Sequence, residues 1–197
     1  MMKKVKYFLS TMLAVMICFG LIAVCAANES KSVSDKGMLL IVVDKSKESY
    51  GDQLRNEVYT QLKSQLKCSL LEESGLQNSM SRHEYDEISK AEQPQLLELA
   101  NEKGTNQVLI VEILPIKSEF NDSIIYKAIK SEATLKVRLY DRAAKQYVEN
   151  EEIVGIGTNK TYIPYTGVGK KVTVLEAVHQ ATDFIVQKVN QNESSGK

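Results

Sequence analysis

The chain has 197 residues, 43% of them hydrophobic, with 25 basic and 25 acidic side chains. That is enough apolar material for one folded core, and the balanced charge excludes the strong basic field on which nucleic-acid binding depends. Nucleic acid is therefore not an expected partner.

The first segment reads as an export signal over residues 1–27. Lys3, Lys4 and Lys6 make a positive start, an apolar run follows from Tyr7, and small residues permit cleavage after Ala26 or Ala27. Two other readings stay open. Phe8 to Ala27 is 20 residues, long enough to be retained as a membrane anchor. Ile22-Ala23-Val24-Cys25 approximates a lipobox, which makes Cys25 a possible lipidation site. All three readings export the body, to the periplasm or cell envelope, and confine membrane contact to the N-terminal segment or its lipid. Without the leader, 22 basic residues stand against 25 acidic ones, a formal −3. Residues 28–37 are a polar tether, 38–190 a single domain, and 191–197 a tail with nothing to bury.

Within the domain, "MLLIVVD" (38–44) is a continuous apolar run that predicts a strand buried on both faces. A helix is predicted from Tyr50 to Leu66, where Leu54, Val58, Leu62 and Leu66 form an i, i+4 stripe. "CSLLEES" (68–74) reads as a second strand. Pro94 near the start and Gly104 just past the end frame a helix over 93–104. "QVLIVEILPI" (107–116) is another buried strand, and "SEFNDSII" reads as a connection.

The texture then changes. "ATLKVRL" (133–139) alternates, with Ala133, Leu135, Val137 and Leu139 on one face and Thr134, Lys136 and Arg138 on the other. A turn over 140–147 and a return strand over 147–157 complete a hairpin, whose edge could recruit another chain unless Lys136 and Arg138 blunt it. A last helix is predicted from Thr173 to Val189. The order β-α-β-α-β-β-β-α gives an α/β fold: a mixed parallel and antiparallel sheet with helices packed against it.

Residues 70–113 carry a resemblance. A strand leads through an acidic segment to a helix, then Ala100, Gly104-Thr105 and the strand Val108-Leu109-Ile110-Val111. This is similar to the domain shared by the curli secretion protein CsgG, the TolB amino-terminal domain and the lipoprotein activators of peptidoglycan synthases. The resemblance implies a non-catalytic envelope domain that binds other envelope proteins or self-associates.

Motifs for chemistry are sparse. "TGVGKKVT" (166–173) fails as a phosphate loop, because Pro164 holds the first-glycine position and Lys171 the hydroxyl position. His83, Glu84, Asp86 and Glu87 bring one imidazole where a zinc helix needs two, and His179 is remote in sequence. Calcium-loop spacing is also missing. Cys68, the one cysteine outside the leader, sits in "KCSLL" and reads as a small buried side chain. Adjacent Glu151 and Glu152 point to opposite sheet faces and cannot form a carboxylate dyad. No catalytic residue, cofactor or metal ligand is assigned.

Partner binding has better candidates. Tyr162, Ile163, Pro164 and Tyr165 lie in a predicted loop, and Phe120 in the connection before the hairpin. Tyrosine suits such surfaces because it buries a large ring and keeps a hydroxyl. The alternative is an exported small-ligand-binding protein or hydrolase with a cleft near Asp44 and the 161–171 loop.

Overall fold

The structure, a computed structural model, describes residues 37–71, 88–123, 125–162 and 169–195. The leader with Cys25, most of the tether, the segment holding His83, Glu84, Asp86 and Glu87, and Ile163, Pro164 and Tyr165 lie outside these residues.

The apolar run forms β1 (Met38–Asp44), followed by α1 (Gly51–Gln65), the short β2 (Leu70–Leu71), a 3₁₀ turn (Ile88–Lys90), α2 (Gln93–Lys103) and β3 (Gln107–Ile113). β1 runs parallel to β2 and β3, in register Leu40 to Leu109 and Val42 to Val111. Lack of alternation in β1 and β3 follows from double coverage. Leu39, Ile41, Val108 and Ile110 face α2, while Met38, Leu40, Val42, Leu109 and Val111 face the other core. α2 ends where predicted, with Gly104 in the left-handed region at φ 67°, a conformation open to glycine at little cost.

β4 (Lys117–Asp122), β5 (Lys127–Asp141) and β6 (Gln146–Thr161) are antiparallel neighbours. β4 is a correction, since a strand replaces the predicted connection. All six of its residues are exposed, so no buried face imposes a pattern on its sequence. β5 is also longer than its alternating stretch. Residues 135–141 pair with β3 and 127–132 with β4, while β6 runs along the whole opposite edge. Hence β5 is interior, and Lys136 and Arg138 blunt no edge.

The last helix, α3 (Lys170–Ser195), begins three residues before the predicted start and continues past Val189. Val174, Val178, Ala181, Ile185 and Val189 form its buried stripe over β5 and β6. Each fully buried Val or Ile contributes about 1.5–3 kcal/mol. α3 lies so close to β6 that a Cβ on Gly155 would sit 1.9 Å from the Ala177 carbonyl oxygen. One on Gly157 would be equally close to that of Thr173. Its polar side chains reach the sheet edge as well: the Ile156 amide donates to Gln180 Oε1 (2.6 Å) and the Thr158 amide to Glu176 Oε2 (2.9 Å).

Candidate interaction surface

The sheet has a near end, where β1 begins, and a far end, where β4 turns into β5 and β6 finishes. The described sequence candidates, Phe120 and Tyr162, lie at the far end. The turn after β4 is closed by the Ser123 amide donating to the Tyr126 carbonyl (2.9 Å) and the Tyr126 amide to Ser123 Oγ (3.0 Å). This holds Tyr126 beside Tyr162, their ring centroids 6.2 Å apart and tilted by 57°. The Lys160 ammonium lies 4.0 Å from the Tyr126 centroid and 4.8 Å from that of Tyr162. Such contacts contribute about 0.5–1 kcal/mol at exposed sites. Hydrogen bonding to Tyr162 raises the Lys160 pKa, with a smaller upward pull from the two phenols. The cluster is therefore cationic at neutral pH.

Phe120 is 58% exposed, Ile125 74% and Tyr162 64%. Phe120 faces the other way from the tyrosines. Its register partners are Ile129 and, beyond it, Asn159, whereas Lys160 pairs with Ala128. The structure thus brings Phe120 and Tyr162 to one end on opposite faces, with Ile125 of the same predicted connection exposed there as well, and adds Tyr126 and Lys160, which the sequence reading missed. Alternation of "NKTY" could have carried β6 on to Thr161 and set Lys160 and Tyr162 on a common face.

Beneath this end a chain of hydroxyls replaces apolar packing. Thr173 Oγ1 donates to the Lys170 carbonyl (2.8 Å), so its contact with Ser131 Oγ (2.7 Å) must be as acceptor. Ser131 has then spent its one proton, and Ser118 Oγ donates to it (2.9 Å). Ser131 and Thr173 are fully buried. β4, β5 and the start of α3 are tied together by this relay.

The region around Asp44 is arranged differently. Asp44 Oδ1 accepts the Ser46 amide (3.0 Å), and Oδ2 rests where a Cβ of Gly51 would be, only 1.8 Å away. The carboxylate closes the β1–α1 loop against the positive end of α1. Both lysines of "TGVGKKVT" are engaged with this loop: Lys170 bonds Glu48 (2.6 Å), and the Lys171 ammonium lies 5.3 Å from the Tyr50 ring centroid. The Tyr50 hydroxyl is buried beside the Glu48 carboxylate. Burial first, and the Glu48 carboxylate second, push its pKa up to about 12.

The largest departure from the sequence reading is Arg138. It is 6% exposed, beneath the 3₁₀ turn, where Glu112 is 3% exposed. Nη2 donates to Glu112 Oε1 (3.2 Å) and the Ile88 carbonyl (3.2 Å), and Nη1 to the Ala91 carbonyl (3.1 Å). Lys45 Nζ reaches Glu112 Oε2 (3.0 Å) and Ser89 Oγ (2.5 Å). Alternation assigned Arg138 to the correct face. It could not reveal that the 3₁₀ turn covers that face.

Among the described residues, no three His, Cys, Asp or Glu side chains are grouped to hold a metal. His179 lies 3.4 Å from Glu57 between α3 and α1. Cys68 is half-buried against the core. No described helix is long and apolar enough to cross a membrane.

No family model matches the chain. No curated protein matches it either. Solved structures do. A hypothetical protein, CT253, from Chlamydia trachomatis is similar at 16% identity and TM-score 0.47, covering 79% of this chain and 97% of its own. Lipoprotein GNA1162 from Neisseria meningitidis is similar at 13% identity and TM-score 0.41, covering 81% and 98%. The LpoB C-terminal domain from Salmonella enterica is similar at 12% identity and TM-score 0.39, covering 63% and 85%.

Proposed function

We propose that this protein is an exported, non-catalytic domain of the bacterial envelope that binds other proteins or assembles with them. The observation that carries the reading is the far end of the sheet: Tyr126, Lys160 and Tyr162 form an exposed aromatic and cationic cluster, with Ile125 exposed in the adjoining turn and Phe120 exposed on the opposite face. Exposed aromatic groups anchored on a rigid hairpin are the usual currency of protein recognition, because they bury large areas with little loss of side-chain freedom. The export leader and the resemblance of residues 70–113 to envelope domains point the same way.

A cleft enzyme near Asp44 is the less favoured reading, because Asp44, Lys170 and Lys171 are each engaged in holding the β1–α1 loop and α3 together. The test is a photo-crosslinking amino acid at position 162 in the full-length chain, expressed in its host. A discrete crosslinked product, lost when Lys160 is also changed to Glu, supports the reading. Absence of any product at 162, 125 and 120 argues against it.

A further inference from the structure

The far half of the sheet has two unlike edges. On β6, the outward amides of Ile156 and Thr158 are taken by Gln180 and Glu176. On β4, the described residues supply one neighbouring strand, β5, and all six positions are exposed.

The direction of the β4 backbone can be worked out independently from each side. Ser123 N–H donates to the Tyr126 carbonyl, so alternation turns Asn121, Glu119 and Lys117 toward β5 and Asp122, Phe120 and Ser118 outward. From β6, Ile156 and Thr158 aim their amides away from β5. Their partners Glu132 and Lys130 therefore aim toward β4, opposite Lys117 and Glu119. The two results agree.

We propose that this open edge pairs with β4 of a second copy of this chain, antiparallel, about a twofold axis through Phe120. The inference rests on the protein-binding reading and names one partner within it. A twofold axis perpendicular to the sheet keeps each face on its own side, so the register must centre on a residue. Centring on Glu119 opposes two carboxylates, which is unfavourable. Centring on Phe120 sets ring beside ring, with Ser118 opposite Asp122 and Glu119 opposite Asn121. The Glu119 carboxylate then meets the Asn121 amide donor of the other copy, and Asp122, paired with Lys127 of its own chain (3.8 Å), lies opposite an uncharged serine, so no like charges are opposed. The outward groups of Ser118, Phe120 and Asp122 form about six backbone hydrogen bonds in this register. The complementarity of the segment is with itself, which is why a second copy is the occupant.

The experiment is sedimentation equilibrium on protein purified from cells expressing the full-length chain, across micromolar to near-millimolar concentration. The parent is expected to shift from monomer to dimer as concentration rises. Phe120→Pro, which removes one outward amide and leaves the β5-facing groups to its neighbours, is expected to stay monomeric with an unchanged far-UV spectrum. A second readout covers the case in which that variant misfolds. Glu119 and Asn121 of opposite copies form a non-hydrogen-bonded pair with Cα atoms about 4.5 Å apart. A Glu119→Cys, Asn121→Cys variant in a Cys68→Ser background should therefore link 119 to 121 between chains under oxidised glutathione, as read by peptide mass spectrometry. A parent that stays monomeric and a variant that gives no such link overturn the proposal, and β4 is then an edge blunted by its charges. So does a dimer that a folded Phe120→Pro protein retains. Crosslinking of a different protein at position 162 alongside a monomeric parent removes the self-pairing and leaves the protein-binding function standing.

Discussion

The two ends of this sheet are built on different principles. Near Gly37, β1, β3 and the later half of β5 are covered on both faces, by α1 and α3 on one side and by α2 and the 3₁₀ turn on the other. At the far end, α3 covers one face, while the other exposes Val154 and Ile156 among charged neighbours and ends in Tyr126, Lys160 and Tyr162. Burial fixes the near end by volume and by paired charge. The far end is fixed by hydroxyl contacts and strand pairing, which leaves its apolar groups available to a partner. Stability and recognition are thereby separated along a single strand, β5.

Substitutions can test that division. The largest effect belongs to Arg138→Ala, which leaves Glu112 buried with Lys45 as its remaining charged neighbour and strips the Ile88 and Ala91 carbonyls of their donor. A loss of about 3–5 kcal/mol is expected in urea unfolding. Gly155→Val comes next, because its Cβ would meet helix backbone rather than a side chain able to swing aside. About 3 kcal/mol should be lost, with weaker protection of the Ile156 and Thr158 amides in hydrogen exchange.

Tyr50 gives a pH-dependent effect. An unfolded tyrosine releases its proton near pH 10, whereas the folded one holds it to about 12. Through that window the unfolded chain binds fewer protons than the fold, so stability falls as pH rises, while below it the contribution is constant. Tyr50→Phe should flatten this part of the stability profile, and tyrosinate absorbance should lose its latest-titrating component. The smallest effect on stability belongs to Tyr162→Ala, within about 0.5 kcal/mol of the parent. The same change should abolish capture of a partner through neighbouring Ile125. Equal destabilisation by Tyr162→Ala and Arg138→Ala would erase the distinction between the two ends.

This division also governs how much could be read beforehand. β1, β3, α1 and α3 announce themselves because a buried surface imposes a period on the residues that face it, and Pro94 and Gly104 mark the ends of α2 chemically. β4 has no buried face, so "KSEFND" carries no period. The early part of β5 escapes for a related reason: at Ser131 the contact with α3 is a hydroxyl rather than a methyl group. Arg138 was placed on the right face and given the wrong surroundings, since its cover comes from a turn nearly fifty residues upstream. Of the candidate surface, Tyr162 and Phe120 were visible as exposed aromatics in polar stretches. Lys160 and Tyr126 needed the β5–β6 register, which one strand's sequence does not contain.

The closeness of α3 to Gly155 and Gly157 also has a meaning in time. β6 precedes α3 in the chain, so a polypeptide emerging amino end first, from a ribosome or a translocation channel, completes its hairpin before the helix that will cover it. During that interval the amides of Ile156 and Thr158 lie open on a long strand whose two glycines offer no side chain to hinder a neighbour. The strand edge that α3 closes in the finished molecule is, while the chain is still arriving, an unpaired one. Late docking of α3 would lengthen the interval in which β6 can pair with another chain, the route by which unpaired strand edges nucleate aggregates.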